Sequence, residues 1–338
     1  MTDSRLMPRL ISLIFLASAC TPTRHPVQLQ PQAALGTSPD GPQADAWGRF
    51  MAQLDVPGPL VLQKHVAANW EVPRSGLINL DHPTAQTAEL KDGSEPIEIY
   101  FYSLEHPKYG GYLIDSGVSE AFVTGKDIPV KFPLKGLMHL ERLKVRLSTE
   151  RYLASRETPI RGVFLTHLHL DHVLGLKDVP KSVPLYVGPE ETEDRRFTHW
   201  LDRATTDANL TGFGPLRSWG VQQKADAPFA FVDLFGDGSA LGVHAPGHTQ
   251  GNMAFLLRTT EGPVLIAGDC SHTAWGWENS VEPGSFNTDT SRAAKSLDRL
   301  ITLAQAHPTM KVHLGHQALP ESDRPAPLAH TASEAMLP

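Results

Sequence analysis

The 338 residues contain only two cysteines, Cys20 and Cys270, so a disulfide framework is excluded and any bound metal would be held by imidazole and carboxylate in place of thiolate. Basic charge is scarce as well. Thirty Lys and Arg stand against 37 Asp and Glu, for a formal net charge of −7. The basic clusters go no further than pairs such as Arg195-Arg196, which leaves nucleic-acid binding without electrostatic support. The apolar run from Leu10 to Ala17 falls well short of the roughly 20 residues that a spanning helix needs. What is abundant is histidine, at 16.

Arg5 and Arg9 flank or precede that apolar run, and the small residues Ala17-Ser18-Ala19 follow it, the pattern of an export signal. Cys20, directly after Ala19, makes residues 1–20 resemble a bacterial lipoprotein signal, in which the cysteine is lipidated; an ordinary signal peptide with an incidental cysteine is the alternative. The first reading implies an exported protein, anchored by lipid to a bacterial membrane at the periplasm or cell surface. It also leaves Cys270 without an intrachain partner. Residues 21–55, rich in Pro, Gln and Ala, read as a flexible tether, and residues 321–338 as an irregular tail. Between them lies one domain, residues 56–320.

In that domain short apolar runs alternate with helical patterns, which predicts an α/β or mixed layered fold. Strands are expected at 96–102, 111–114, 161–166, 183–187, 229–234, 240–244, 253–257, 264–267 and 310–314. Helices are expected at 137–154, 190–204 and 291–306.

The chemistry concentrates in Thr166-His167-Leu168-His169-Leu170-Asp171-His172, directly after the apolar run Gly162 to Leu165. In extended backbone 167, 169 and 171 project to one side, and the chain must turn for His172 to join them. Three more donors follow at strand ends, His248 in Gly-His-Thr, Asp269 in Gly-Asp-Cys and His316 in Gly-His-Gln. Seven donors exceed one tetrahedral ion and suit two ions sharing a carboxylate. With Asp269 bridging, His167, His169 and His248 would hold one ion and Asp171, His172 and His316 the other. Such a pair would hold a hydroxide between them.

His-x-His-x-Asp-His, Gly-His-Thr, Gly-Asp and the final Gly-His, in this order, together with Leu113-Ile114-Asp115-Ser116-Gly117, resemble the metallo-β-lactamase superfamily of hydrolases over about residues 96–320. The resemblance implies an αββα sandwich with two zinc ions, iron or manganese being alternative fillings. It gives Asp115 a supporting role behind the ligands, and it makes 213–227 the expected lid. An aspartate at 269, where the family's true β-lactamases carry Cys or Ser, points to ester, lactone or thioester hydrolysis of a small molecule. The pattern is most similar to the acyl-homoserine-lactone lactonase branch, whose substrate-binding Tyr is replaced here by His272. Asp171 is the expected proton carrier. Trp275-Gly276-Trp277 reads either as an aromatic wall for an acyl chain or as a packed loop. β-Lactam or phosphodiester hydrolysis, iron-dependent sulfur or oxygen chemistry, and a non-enzymatic binding protein are the rival readings.

Overall fold

Alternation and continuity of apolar residues together decide which surfaces meet. The computed structural model describes residues 21–30, 46–132, 134–193, 199–225 and 227–320, and among these thirteen strands form two sheets. The first sheet holds β1 (Val27–Gln30), β2 (Val61–Pro73), β3 (Ser94–His106), β4 (Gly110–Ile114), β5 (Lys144–Val145), β6 (Ile160–Phe164), β7 (Leu185–Val187) and β8 (Leu216–Trp219). Its order is β1-β8-β7-β6-β4-β3-β2-β5. The second holds β9 (Ala230–Asp233), β10 (Ala240–His244), β11 (Met253–Thr259), β12 (Gly262–Gly268) and β13 (Lys311–Leu314), in the order β13-β12-β11-β10-β9. The helices that bear on the site are α1 (Ala46–Ala52), α2 (Arg74–Leu77), α3 (Leu170–Val173), α4 (His199–Leu210), α5 (Ala274–Glu278) and α6 (Thr290–Ala306).

Strand β3 shows how the layers arise. Tyr100, Tyr102 and Leu104 enter a core shared with Phe255, Leu257 and Ile266 of the second sheet, while Ile97, Ile99 and Phe101 face a different core with Val163, Leu174 and Leu176. Period-2 alternation thus gives one strand two buried faces. A third core joins Leu241, Val243 and Leu265 of the second sheet to Phe50 of α1 and Leu300 of α6. Helix, sheet, sheet, helix is the αββα sandwich expected from the sequence. Between the sheets Phe164 stacks on Tyr112 with ring centroids 4.9 Å apart, and Tyr186 on Trp219 at 4.6 Å. Such pairs contribute about 0.5–1.5 kcal/mol each beyond their buried area. Strand β11 is buried at every position, as befits a strand covered on both faces.

Several expectations are corrected. The tether over 21–55 is only partly a tether, because β1 pairs in parallel with β8, from Val27 opposite Leu216 to Gln30 opposite Trp219. Thr23 donates to Asp207, and α1 buries Trp47 and Phe50. Composition poor in core residues does not preclude an edge strand, which needs little more than its backbone groups. Residues 1–20 with Cys20, residues 31–45 and the tail 321–338 lie outside the described residues.

The expected helix 137–154 divides into a turn at Leu134–Leu137, a second at Leu140–Arg142, β5, and a helix at Thr149–Ala154 capped by Ser148. Its leucine spacing is helical, but Lys144 and Val145 pair with Asn69 and Ala68 of β2 and interrupt any helix there. The helix expected at 190–204 is a turn at Glu191–Glu193 followed by α4. Part of the expected lid is sheet, because Leu216–Trp219 form β8 with Leu216 and Trp219 fully buried. Trp275 and Trp277 lie in α5, capped by Thr273, and each packs one side against a core while staying partly exposed.

Candidate metal centre

Residues following β6, β12 and β13 carry donors, with His248 four residues past β10, and Asp115 follows β4. The extended parity holds only to His169, which caps α3; Asp171 and His172 come from the first turn of that helix. Asp269 follows Gly268, whose φ of +52° and shifted register against β13 turn the chain inward.

All seven expected donors meet. His167, His169, His248 and Asp269 form one group whose ligand atoms lie within 4.8 Å of one another, and Asp171, His172 and His316 a second. Asp269 joins them through a single oxygen. Its Oδ2 is 3.3 Å from His248 Nε2 and 3.7 Å from His167 Nε2 on one side, and 3.4 Å from His172 Nε2 and 3.3 Å from His316 Nε2 on the other. His248 Nε2 also stands 2.7 Å from His169 Nδ1, and Asp171 Oδ2 3.2 Å from His316 Nε2. Gly315 is required here, because a Cβ would lie 2.2 Å from Asp269 Oδ1.

The far sides of three of the rings are held by second partners. Asp115, in a left-handed conformation at φ +57°, accepts from His172 Nδ1 at 2.7 Å and from the Thr166 amide at 2.8 Å. His316 Nδ1 donates to the Glu98 carbonyl at 2.9 Å, and Asn287 Oδ1 faces His248 Nδ1 at 3.2 Å. In a neutral ring each of these bonds leaves the lone pair of Nε2 pointing inward, toward Asp269. His172 Nε2 and Asp269 Oδ1 are buried without hydrogen-bond partners. Converging lone pairs and carboxylate oxygens fit divalent cations, and the donor set of His and Asp suits zinc.

One contributor carries no sequence motif. Glu191, fully buried, accepts from the Leu168 amide at 2.6 Å, the Thr249 hydroxyl at 2.6 Å and the Gly251 amide at 3.1 Å. It clamps the 167–169 segment to the His248 loop. Nothing in its local sequence marks it, since its partners come from 23 to 60 residues away. His272 joins the cluster too, with Nε2 3.0 Å from Asp269 Oδ2 and Nδ1 3.2 Å from the Leu77 carbonyl at the end of α2. His244 and His313 stay outside the donor set.

Burial, with repulsion among the rings, pushes His167 and His248 well below the ordinary imidazole range, which suits ligands. Burial also pulls on His172 and His316, but Asp269 outweighs it, together with Asp115 and Asp171 at His172 and Asp171 at His316. His172 is held well above 6.5 and His316 up to about 10. In the metal-free protein these raised values stabilise the fold fully below 6.5, and the contribution is lost as pH rises through about 10. Metal-free parent is therefore expected to lose more melting temperature between about pH 7 and 10 than metal-free His316→Gln, a comparison in which Lys64 and Lys181, pulled down to about 8 by burial, cancel. Added metal displaces the same protons, so its affinity should rise over that interval. Thermal scans across the range with and without zinc check both.

A sequence model of the Metallo-beta-lactamase superfamily matches residues 103–316. N-acyl homoserine lactonase AttM of Rhizobium johnstonii (strain DSM 114642 / LMG 32736 / 3841) is 26% identical over 227 residues, covering 62% of this chain and 78% of that protein. The crystal structure of a quorum-quenching N-acyl homoserine lactone lactonase is similar at a TM-score of 0.53 and 18% identity, over 75% of this chain and 91% of that one. AidC, a dizinc quorum-quenching lactonase in complex with a product, is similar at 0.50 and 15%, over 78% and 89%. These two likenesses establish the fold. The matched segment takes in well over half the chain and ends at the last donor, His316, and so the protein belongs to the metallo-β-lactamase superfamily, as a metal-dependent hydrolase.

Proposed function

We propose that the protein is a dinuclear zinc hydrolase acting on an ester, lactone or thioester carbonyl, with an N-acyl homoserine lactone as the first substrate to try. The observation that carries this is the position of Asp269 Oδ2 between two donor groups. The similarity to N-acyl homoserine lactonases supports the lactone. Cys270 does not supply a thiolate in its place. Burial pushes its thiol up to about 12, and Sγ lies 3.1 Å from Asn252 Nδ2, among the core residues of the second sheet.

His167, His169 and His248 would hold one zinc, Asp171, His172 and His316 the other, with Asp269 shared; iron or manganese fits the same donors. Bound there, the ions would supply Lewis acidity toward the carbonyl and a water acidic enough to attack near neutral pH. Asp171, the most exposed carboxylate of the cluster at 18%, is placed to carry a proton from that water to the departing alkoxide. His272, with Nε2 3.0 Å from Asp269 Oδ2 and Nδ1 against the Leu77 carbonyl, is placed to orient Asp269 and to border the substrate carbonyl region. His272→Phe is expected to lower kcat about 10- to 100-fold with a small change in KM. Unchanged kinetics would remove His272 from the mechanism.

The reading is tested on zinc-loaded protein with lactones, aryl esters, thioesters, a phosphodiester and a β-lactam. Fastest turnover is expected on a lactone or ester; preference for the phosphodiester would reject the carbonyl mechanism. Export with a lipid at Cys20 is proposed alongside. The protein should fractionate with membranes, and Cys20→Ala should release it.

A further inference from the structure

A cavity of about 610 Å³ opens where the sandwich ends beyond β13, and no residue of the metal centre lines it. Its size is that of a small-molecule site. Trp277 of α5, Ile301 and Ala304 of α6, and Met310 and Val312 at β13 give it apolar walls. Lys64 of β2 and His313 of β13 line it as well, with Gln305 and Lys311.

Lys64 is unusual for its place. It sits opposite Tyr102 in the β2–β3 register, on the face whose neighbours Leu62 and Val66 pack into the core between the sheets. Its ammonium lies 3.4 Å from the centre of the Tyr100 ring. Among the described residues no carboxylate comes within ion-pairing distance of it; Glu98 accepts instead from Tyr100 and Asn69. Burial pulls Lys64 down to about 8, with Glu98 opposing, so near neutral pH it keeps its charge. His313 stacks on Tyr102 at 5.5 Å, its Nδ1 buried without a partner, and burial beside Lys64 and Lys311 pulls it down to about 4, leaving the ring neutral. Lys311 at the rim is already paired with Glu261 at 2.7 Å. Glu278, also at the rim, is exposed.

A half-buried ammonium without a carboxylate partner, on a cleft with apolar walls, calls for an anion with an apolar body. A dianion such as phosphate would find one charge and few donors, and a neutral alkane would leave Lys64 uncompensated. We propose that this cavity is a second ligand site, separate from the metal centre, which takes a small apolar carboxylate with its headgroup at Lys64 and His313 and its tail along Trp277, Ile301 and Met310.

Calorimetric titration of the metal-loaded full chain with octanoate tests it. One saturable site is expected, with octan-1-ol binding at least about tenfold more weakly because it lacks the charge. Lys64→Met should weaken octanoate at least about tenfold, and Ala304→Trp, which fills the cleft, should abolish binding, both with zinc content unchanged. Should Ala304→Trp not fold, Lys64→Met and the alcohol decide. Absence of saturable binding would overturn the proposal. So would octanoate binding that Lys64→Met leaves intact, since a carboxylate bound at the metal centre would behave in that way.

Discussion

Asp269→Ala is expected to lower kcat/KM by about a thousandfold or more, the scale seen when a group that organises transition-state charge is removed. The expectation follows from one oxygen serving both donor groups, with His248 Nε2 and His316 Nε2 each 3.3 Å from it. Without it, His172 and His316 also lose the carboxylate that holds their protons in the metal-free protein. Zinc stoichiometry should fall below two per chain, while circular dichroism stays near that of the parent, because the three cores do not include Asp269. Asp269→Asn keeps the shape and should recover little, since a neutral amide offers a weaker ligand at the shared position. Full activity in either variant would mean that the two groups do not act as one centre.

Glu191→Ala should be the most damaging change outside the donor set. It leaves the Leu168 and Gly251 amides and the Thr249 hydroxyl without their buried acceptor, and each such loss costs about 1–3 kcal/mol. Even with local rearrangement a total of about 3–5 kcal/mol is a large share of the 5–15 kcal/mol that holds a domain folded. The damage should also reach the metal, because the clamp sets the distance between the 167–169 segment and the His248 loop. Weakening of zinc binding by about 10- to 100-fold is expected. Glu191→Gln, with one acceptor oxygen, should fall between the two. Thermal melts and zinc titrations read both effects, and an unchanged melting temperature in Glu191→Ala would show that the clamp is dispensable.

The donors were legible in the sequence because each stands in a short local pattern: His167 to His172 after an apolar strand, and His248, Asp269 and His316 each after a glycine. The apolar runs along β3, β10, β11 and β12 likewise marked strands, while the layering came from the family resemblance. What stayed hidden depended on distant partners. Glu191 gains its meaning from Leu168 and Gly251, and β1 from the open edge of β8, so local composition could not reveal either. The 137–154 stretch misled for another reason. Leucines at 137, 140, 143 and 147 satisfy a helical period, yet the pairing of Lys144 and Val145 with β2 outweighs that propensity. His272 lay between these cases, visible as a histidine near Asp269 but not as a partner of the Leu77 carbonyl.

The most direct test of the centre is anomalous scattering at the zinc edge from crystals grown with zinc. Two peaks are expected on either side of Asp269 Oδ2, one within about 2.0–2.2 Å of ligand atoms from His167, His169 and His248, the other similarly close to Asp171, His172 and His316. A single peak, or peaks away from Asp269, would contradict the account.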